Sequence, residues 1–197
     1  MIRYRDAMRE DATTIATLHA ESWRVTYRGS YRDEFLDGPV FQDRMGVWNK
    51  RLSMPAPNQF VVLAEEEGLV VGFACAYGRD DEQWGSLLDN IHVRRQQHRQ
   101  GVGTGLASEV ARWCRANYTD CGLYLWVIAQ NHQARRFYER LGATDQRWRG
   151  RTARCSPLCV DGAHRHRARS KVNIVNVRAQ LEPTASLRVA VAQRQGR

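Results

Sequence analysis

The segment Gln100-Gly101-Val102-Gly103-Thr104-Gly105-Leu106 constrains this 197-residue chain more than any other. It follows an apolar, strand-like run at 86–93 (Ser-Leu-Leu-Asp-Asn-Ile-His-Val) and opens a stretch with Leu106, Val110 and Trp113 at helical spacing. Glycines at such a junction let the backbone turn tightly and let a ligand come close to it. The helix start offers unpaired amides and a partial positive charge, which suits a phosphate or pyrophosphate. No Gly-Lys-Ser/Thr follows, so the segment is not a P-loop, and its third glycine is misplaced for a dinucleotide fingerprint. The alternative role is a glycine turn that only packs strand against helix.

The remaining pattern alternates strands and helices. Ile2 and Tyr4 alternate with Arg3 and Arg5 as a short first strand. A helix follows, with Ile15, Leu18 and Ser22 on one stripe and Asp11 placed to cap it. Gly38-Pro39 is a break, after which Phe41, Met45, Trp48 and Leu52 mark a second helix. Residues 59–65 and 69–77 flank Glu66-Glu67-Gly68 as a hairpin. Residues 122–128 read as a buried strand, and a last helix runs from Asn131 to Leu141, with Gly142 as its left-handed stop. The order is strand, two helices, three strands, helix, strand, helix, which predicts an α/β fold with one mixed sheet flanked by helices.

The net charge of +9 is not spread evenly. Residues 1–147 carry 19 basic and 19 acidic side chains, whereas 148–197 carry 11 and 2. A basic nucleic-acid-binding core is thereby excluded, and any polyanion affinity is confined to the tail. The expected division is a folded domain at 1–148 and a basic tail at 149–197, which is either without fixed structure or supplies late strands at 172–178 and 186–192. No run of about 18 apolar residues points to a membrane helix. Five cysteines, Cys75, Cys114, Cys121, Cys155 and Cys159, with no visible export signal, read as reduced thiols of a cytoplasmic protein. The set Cys155, Cys159, His164 and His166 does not have the spacing of a familiar zinc finger, so no metal is expected. The run Arg165, Arg167, Arg169, Lys171 reads as a solvated segment rather than a nucleic-acid site.

Two motifs together identify a relative. Val93, seven residues and Gly101-Val102-Gly103, then Leu125-Trp126-Val127, then Asn131-x2-Ala134-x2-Phe137-Tyr138-Glu139-Arg140-Leu141-Gly142 resemble the GNAT superfamily of acyl-CoA-dependent N-acetyltransferases. Ser22-Trp23-Arg24, Tyr27-Arg28-Gly29 and Val71-Gly72-Phe73 agree, and the resemblance covers about residues 2–148. It implies acetyl-CoA as co-substrate and direct transfer of its acetyl group to an amine, with no metal. The loop residues His98, Arg99, Gln100, Gly101, Val102, Gly103, Thr104 and Gly105 would hold the pyrophosphate. Asn131, with Arg135 on the same helix, would hold the pantetheine arm. Strand residues Ile91, His92 and Val93 would line the thioester and supply a main-chain donor for its oxyanion.

Tyr138 would protonate the leaving thiolate, a fitting match of a phenol near pKa 10 to a thiol near about 8.5. Asp89 is the first candidate base for the amine, acting through water, with a capping or sheet-edge carboxylate as its alternative role. His92 is second, since a regular strand turns it away from Asp89 unless a bulge re-aims it. Trp23, Tyr27 and Tyr31 are candidates to line the acceptor cleft, with core packing as the competing role. His98 stands where the family usually has Arg or Gln, so one phosphate contact would depend on pH. The expected partner is a small-molecule or peptide amine, with small amines favoured; a homodimer stays open. The competing readings are a degenerate CoA-binding member and a basic-tailed protein that contacts nucleic acid.

Overall fold

The computed structural model describes residues 1–128, 131–142, 144–145, 174–181 and 187–193. Strand β1 (Ile2–Asp6) leads through a short 3-10 turn into three helices, α1 (Ala12–Thr26), α2 (Asp33–Asp37) and α3 (Val40–Ser53). Strands β2 (Gln59–Glu66), β3 (Leu69–Asp81) and β4 (Gly85–Val93) follow, then α4 (Val102–Asn117), β5 (Leu123–Ile128) and α5 (His132–Arg140). The chain then contributes β6 (Thr144–Asp145), β7 (Ile174–Leu181) and β8 (Leu187–Gln193).

Strands β1 to β4 form an antiparallel array in the order β1-β2-β3-β4. Its β2–β3 connection is the two-residue turn Glu67-Gly68 with φ of 51° and 80°, the positive pair that a tight hairpin demands. Strand β5 lies parallel to β4, with α4 as the crossover, so the sheet is mixed, as the element order implies. On its far side β5 pairs antiparallel with β7 from Leu123↔Ala179 to Ile128↔Ile174, and β6 and β8 complete that edge.

Two cores sandwich the sheet. Ile15 and Leu18 of α1 and Trp48 of α3 pack on Leu63, Phe73 and Cys75 on one face. Val102, Leu106 and Val110 of α4 pack on Val62, Ala64, Leu88 and Leu125 on the other, where Tyr138 of α5 joins them. A third cluster, Trp23, Tyr27, Tyr31, Phe35 and Leu36, caps the C-terminal end of α1 and reaches Ile128 at the end of β5.

Two details differ from the sequence reading. Short helix α2 is an extra element before the Gly38-Pro39 break, built on the buried pair Phe35 and Leu36. Asp11 does not cap α1: its carboxylate accepts from the Met8 amide at 2.7 Å and takes the Arg5 guanidinium at 2.7 and 2.9 Å. An arginine six residues back, on β1, outcompetes the helix amides because a bidentate charged pair is the stronger bond.

Candidate active site

The site begins where the sheet splits. Strands β4 and β5 are paired only at Ser86↔Leu123, Leu87↔Tyr124 and Leu88↔Leu125, and then separate. At the same point β4 is bulged against β3, since Leu88 faces Ala76 and Asn90 faces Cys75, leaving Asp89 as the surplus residue. The Arg94 amide donates to Val71 at 2.8 Å. By antiparallel alternation the amides of Ile91 and Val93 then face away from β3, into the gap beside β5.

The start of α4 closes one end of this gap. Gly101, with φ 82°, is the N-cap, and Arg99 beside it has φ 66°. The first intrahelical bond is Gly105 amide to Gly101 carbonyl, 2.9 Å, so the amides of Val102, Gly103 and Thr104 are the helix's unpaired donors. A Cβ on Gly103 would lie 3.4 Å from Phe137 and 3.7 Å from Val93, ordinary contact distances, so the bare glycine leaves that space between α5 and β4 open. Gly105 differs from its loop neighbours. Its amide is spent inside the helix, and a Cβ there would fall 1.8 Å from the Tyr4 hydroxyl, so it brings α4 onto β1. The His98 ring is likewise engaged, with Nε2 3.0 Å from the Val93 carbonyl, and Gln100 donates to the Gln96 carbonyl.

Helix α5 supplies the other wall. Asn131 Oδ1 accepts from the Ala134 amide at 3.0 Å, so the asparagine is an N-cap whose NH2 is not used in the cap. Arg135 follows on the first turn, partly buried. Tyr138 is 8% exposed, packed edge-on to Phe137. Burial first, and the Tyr27 phenol second, hold the Tyr138 proton well above the ordinary phenol range. Tyr27 is thus near enough for its own ionisation to matter to Tyr138, although it arrives from α1. Trp23 and Tyr31 are 2% and 4% exposed and ring-packed with Tyr27 and Phe35.

On the α1/α3 face of β4 stand the two candidate bases. The bulge puts Asp89 and His92 on this same face, His92 opposite Phe73. The Asp89 carboxylate is 4% exposed, accepts from Arg51 at 2.8 Å and is also hydrogen-bonded by Asn90. His92 Nδ1 lies 2.7 Å from Ser22 Oγ, and its ring centre is 4.6 Å from that of His19. His19 is buried and its Nδ1 accepts from Trp48 Nε1 at 3.0 Å. Burial, then the Arg44 charge, drives the His92 pKa down to about 3, so the imidazole is neutral. Burial dominates for His19 as well, followed by His92, Arg44 and Arg51.

The chain matches the acetyltransferase (GNAT) family over residues 15–143. It belongs to that family. This GNAT protein is therefore an acyltransferase, and it is 28% identical over 134 residues to the N-acetyltransferase YuaI of Bacillus subtilis (strain 168), itself uncharacterized, covering 66% of this chain and 74% of that one. Its fold is similar to that of the PaiA N-acetyltransferase from Thermoplasma acidophilum, solved in complex with coenzyme A (TM-score 0.63, 19% identity, 76% of this chain and 94% of that one). It is also similar to YncA of Salmonella typhimurium, solved with its cofactor acetyl-CoA (TM-score 0.61, 17% identity, 94% and 97%).

Sequence reasoning missed Arg44 and Arg51. Arg44 is 2% exposed, with its guanidinium 4.4 Å over the Trp23 ring, and Arg51 stacks 5.1 Å from Trp48. The available signal was their place on the stripe of Phe41, Trp48 and Leu52, where an arginine needs a buried partner. Cys75 and Cys114 are buried free thiols, each pushed up to about 12 chiefly by burial, which makes them unreactive filler. Cys155, Cys159, His164, His166 and the basic run Arg165–Lys171 lie outside the described residues. Among the described residues no helix is long and apolar enough to cross a membrane.

Proposed function

We propose that this GNAT protein moves an acetyl group from acetyl-CoA to an amine by direct transfer in a ternary complex. The observation that carries this reading is the three-pair seam between β4 and β5, which opens, beside the bulge, onto the unpaired amides at the start of α4. Solved structures of similar fold with coenzyme A and with acetyl-CoA support it. The residues present fit such a molecule: the cradle of Val102, Gly103 and Thr104 suits its pyrophosphate, and the Ile91 and Val93 amides suit an extended amide chain added in the gap.

The thioester, when bound, supplies an activated acetyl group and a thiolate leaving group. Asn131 then orients the pantetheine arm through its NH2, with Arg135 beside it. A main-chain amide of Ile91 or Val93 donates to the oxyanion as it develops. Tyr138, fully protonated at neutral pH because of its burial, gives its proton to the departing sulfur. Asp89 takes the proton of the amine through a water, and neutral His92, fixed by Ser22, stands beside it as a hydrogen-bond partner for the acceptor. The catalytic unit is residues 1–148 together with the late strands β7 and β8 that the basic tail adds to the sheet beside β5. The acceptor is a small amine.

Calorimetric titration of the full chain with acetyl-CoA tests the reading. Binding at the micromolar level, about −8 kcal/mol, with thiol release on adding amines, is the expected result. The Gly103→Val variant should fold and lose this binding, because its branched side chain fills the space before Phe137 and Val93. Binding without turnover on any amine would favour a degenerate CoA-binding member. No binding by the folded wild type would overturn the reading.

A further inference from the structure

We propose that Arg51 of α3 is a positioning residue for acetyl transfer: through its pair with Asp89 it locks the β4 bulge in one register and so sets which groups face the acceptor. The role assigned to Asp89 rests on the acetyltransferase reading above; the lock on the bulge does not.

Up to Leu88, β4 alternates regularly, with Leu87 toward α1/α3 and Leu88 toward α4. The surplus residue then shifts the parity. Asn90 and His92 face α1/α3, opposite Cys75 and Phe73, while Ile91 and Val93 face the α4 core. Without the bulge, His92 would enter the α4 core, Ile91 and Val93 would face the imidazole of His19, and the amides aimed into the gap would exchange with those bonded to β3. A one-residue slip moves every side chain beyond it to the other face. Bulges are local and depend on what holds the extra residue.

Arg51 holds it here. Its Nη1 is 2.8 Å from Asp89 Oδ2 and 3.9 Å from the sulfur of Cys75, the β3 residue that faces Asn90 across the irregularity. The guanidinium lies between the rings of Trp48 and Tyr77, 5.1 and 5.7 Å from their centres. Both charged side chains are nearly buried, 11% and 4% exposed. The Arg51 carbonyl is itself held from β2 by Gln59 Nε2 at 3.0 Å. The clamp thus joins α3, β3 and the surplus residue at the last point where β4 and β5 are still paired.

The test compares wild type, Arg51→Met and Arg51→Lys by acetyl-CoA calorimetry, by steady-state thiol release with a small primary amine, and by amide hydrogen exchange of residues 88–93. For Arg51→Met the expected result is a kcat lower by about a hundredfold, the scale of an ångström-level misplacement, with a smaller loss of acetyl-CoA affinity, since the α4 amides are untouched while those of Ile91 and Val93 are loosened. Exchange at 88–93 should rise by about tenfold or more while α4 is unchanged. Arg51→Lys keeps the charge without the planar fork and should recover part of kcat and of the protection. If Arg51→Met does not fold, the lysine variant is read by the same criteria against wild type. A kcat within about threefold of wild type, or a loss matched by acetyl-CoA affinity with unchanged exchange at 88–93, would overturn the proposal. If wild type transfers acetyl to no amine, the acetyltransferase reading falls, and the exchange result alone decides whether Arg51 locks the bulge.

Discussion

Replacing Tyr138 by Phe removes one oxygen from the wall of the cleft and little else. The ring is 8% exposed and sits edge-on to Phe137 at 5.1 Å, so the phenylalanine keeps that packing. Among the described residues no hydrogen bond holds the Tyr138 hydroxyl, so stability should change by no more than about 0.5 kcal/mol. The chemical effect is larger. A positioned proton donor contributes about 10²–10⁴ in rate, and the efficiency follows how well its pKa suits the task. Burial and Tyr27 strengthen the hold of Tyr138 on its proton, making it a weaker acid than a free phenol. The lower part of the range is therefore expected, a kcat loss of about 10²–10³, or about 2.7–4.1 kcal/mol. The same raised pKa fixes the pH behaviour. The active form is the protonated one, it persists below the raised value, and so Tyr138 should impose no falling limb up to about pH 10. Thiol release at saturating acetyl-CoA and amine, from pH 6 to 10, measures both. A Tyr138→Phe enzyme within about threefold of wild type across that range, or one whose loss lies wholly in KM, would refute the proton-donor role.

Other expectations concern stability. His92 is neutral in the folded state with a pKa of about 3 but titrates near 6.5 when unfolded, so stability should fall as pH drops from about 6.5 toward 3; a His92→Gln variant should show a shallower decline of urea midpoint with acid, and an equally steep one would argue against a buried neutral imidazole. The Asp11 carboxyl is held below its usual range, first by Arg5, so its contribution exists above about pH 4 and fades below; the deficit of Asp11→Asn in chemical denaturation should shrink in the same window, and a pH-independent deficit would point to packing instead. Trp48→Phe leaves the His19 Nδ1 without its donor in a fully buried site and should cost about 1–3 kcal/mol in urea melts; a neutral result would mean that water replaces the indole. Gly105→Ala should lower Tm without affecting acetyl-CoA affinity, since the new methyl meets Tyr4 and not the cradle.

Much of the sheet was legible because its signals are local. Alternation at Ile2 and Tyr4, the Glu67-Gly68 turn and the glycine-opened helix each reflect forces acting within a few residues. The cradle was legible for the same reason, except at Gly105, where the reason for glycine lies about a hundred positions away in Tyr4. The α1/α3 face of β4 was less so. Asp89 and His92 are three apart, and regular alternation separates them; one surplus residue reunites them, and nothing in 86–93 alone announces it. The partner of that residue, Arg51, comes from a helix whose stripe reads as apolar. Asp11 failed as a cap for a related reason, since Arg5 on the neighbouring strand was the better partner. Pairings set by tertiary contact do not show in periodicity.

The three-pair seam between β4 and β5 has a consequence for how the molecule breathes. On one side lies a block of neighbouring antiparallel strands, β1 to β4, with α1 to α3; on the other, β5 reaches its place only through the long α4 crossover. Contacts close in sequence form early, and the parallel pairing must wait for the larger loop to close. So short a junction is also the natural place for the two halves to part in the native state. A molecule held at once by the amides of α4, the edge of β4 and the cap of α5 would span that parting line. Its binding would add RT ln(1 + [L]/Kd) to the work of opening, about 2.7 kcal/mol at a hundredfold excess over Kd. The co-substrate would then serve as mortar as well as reagent, and the slowest-exchanging amides of β5 would report its presence.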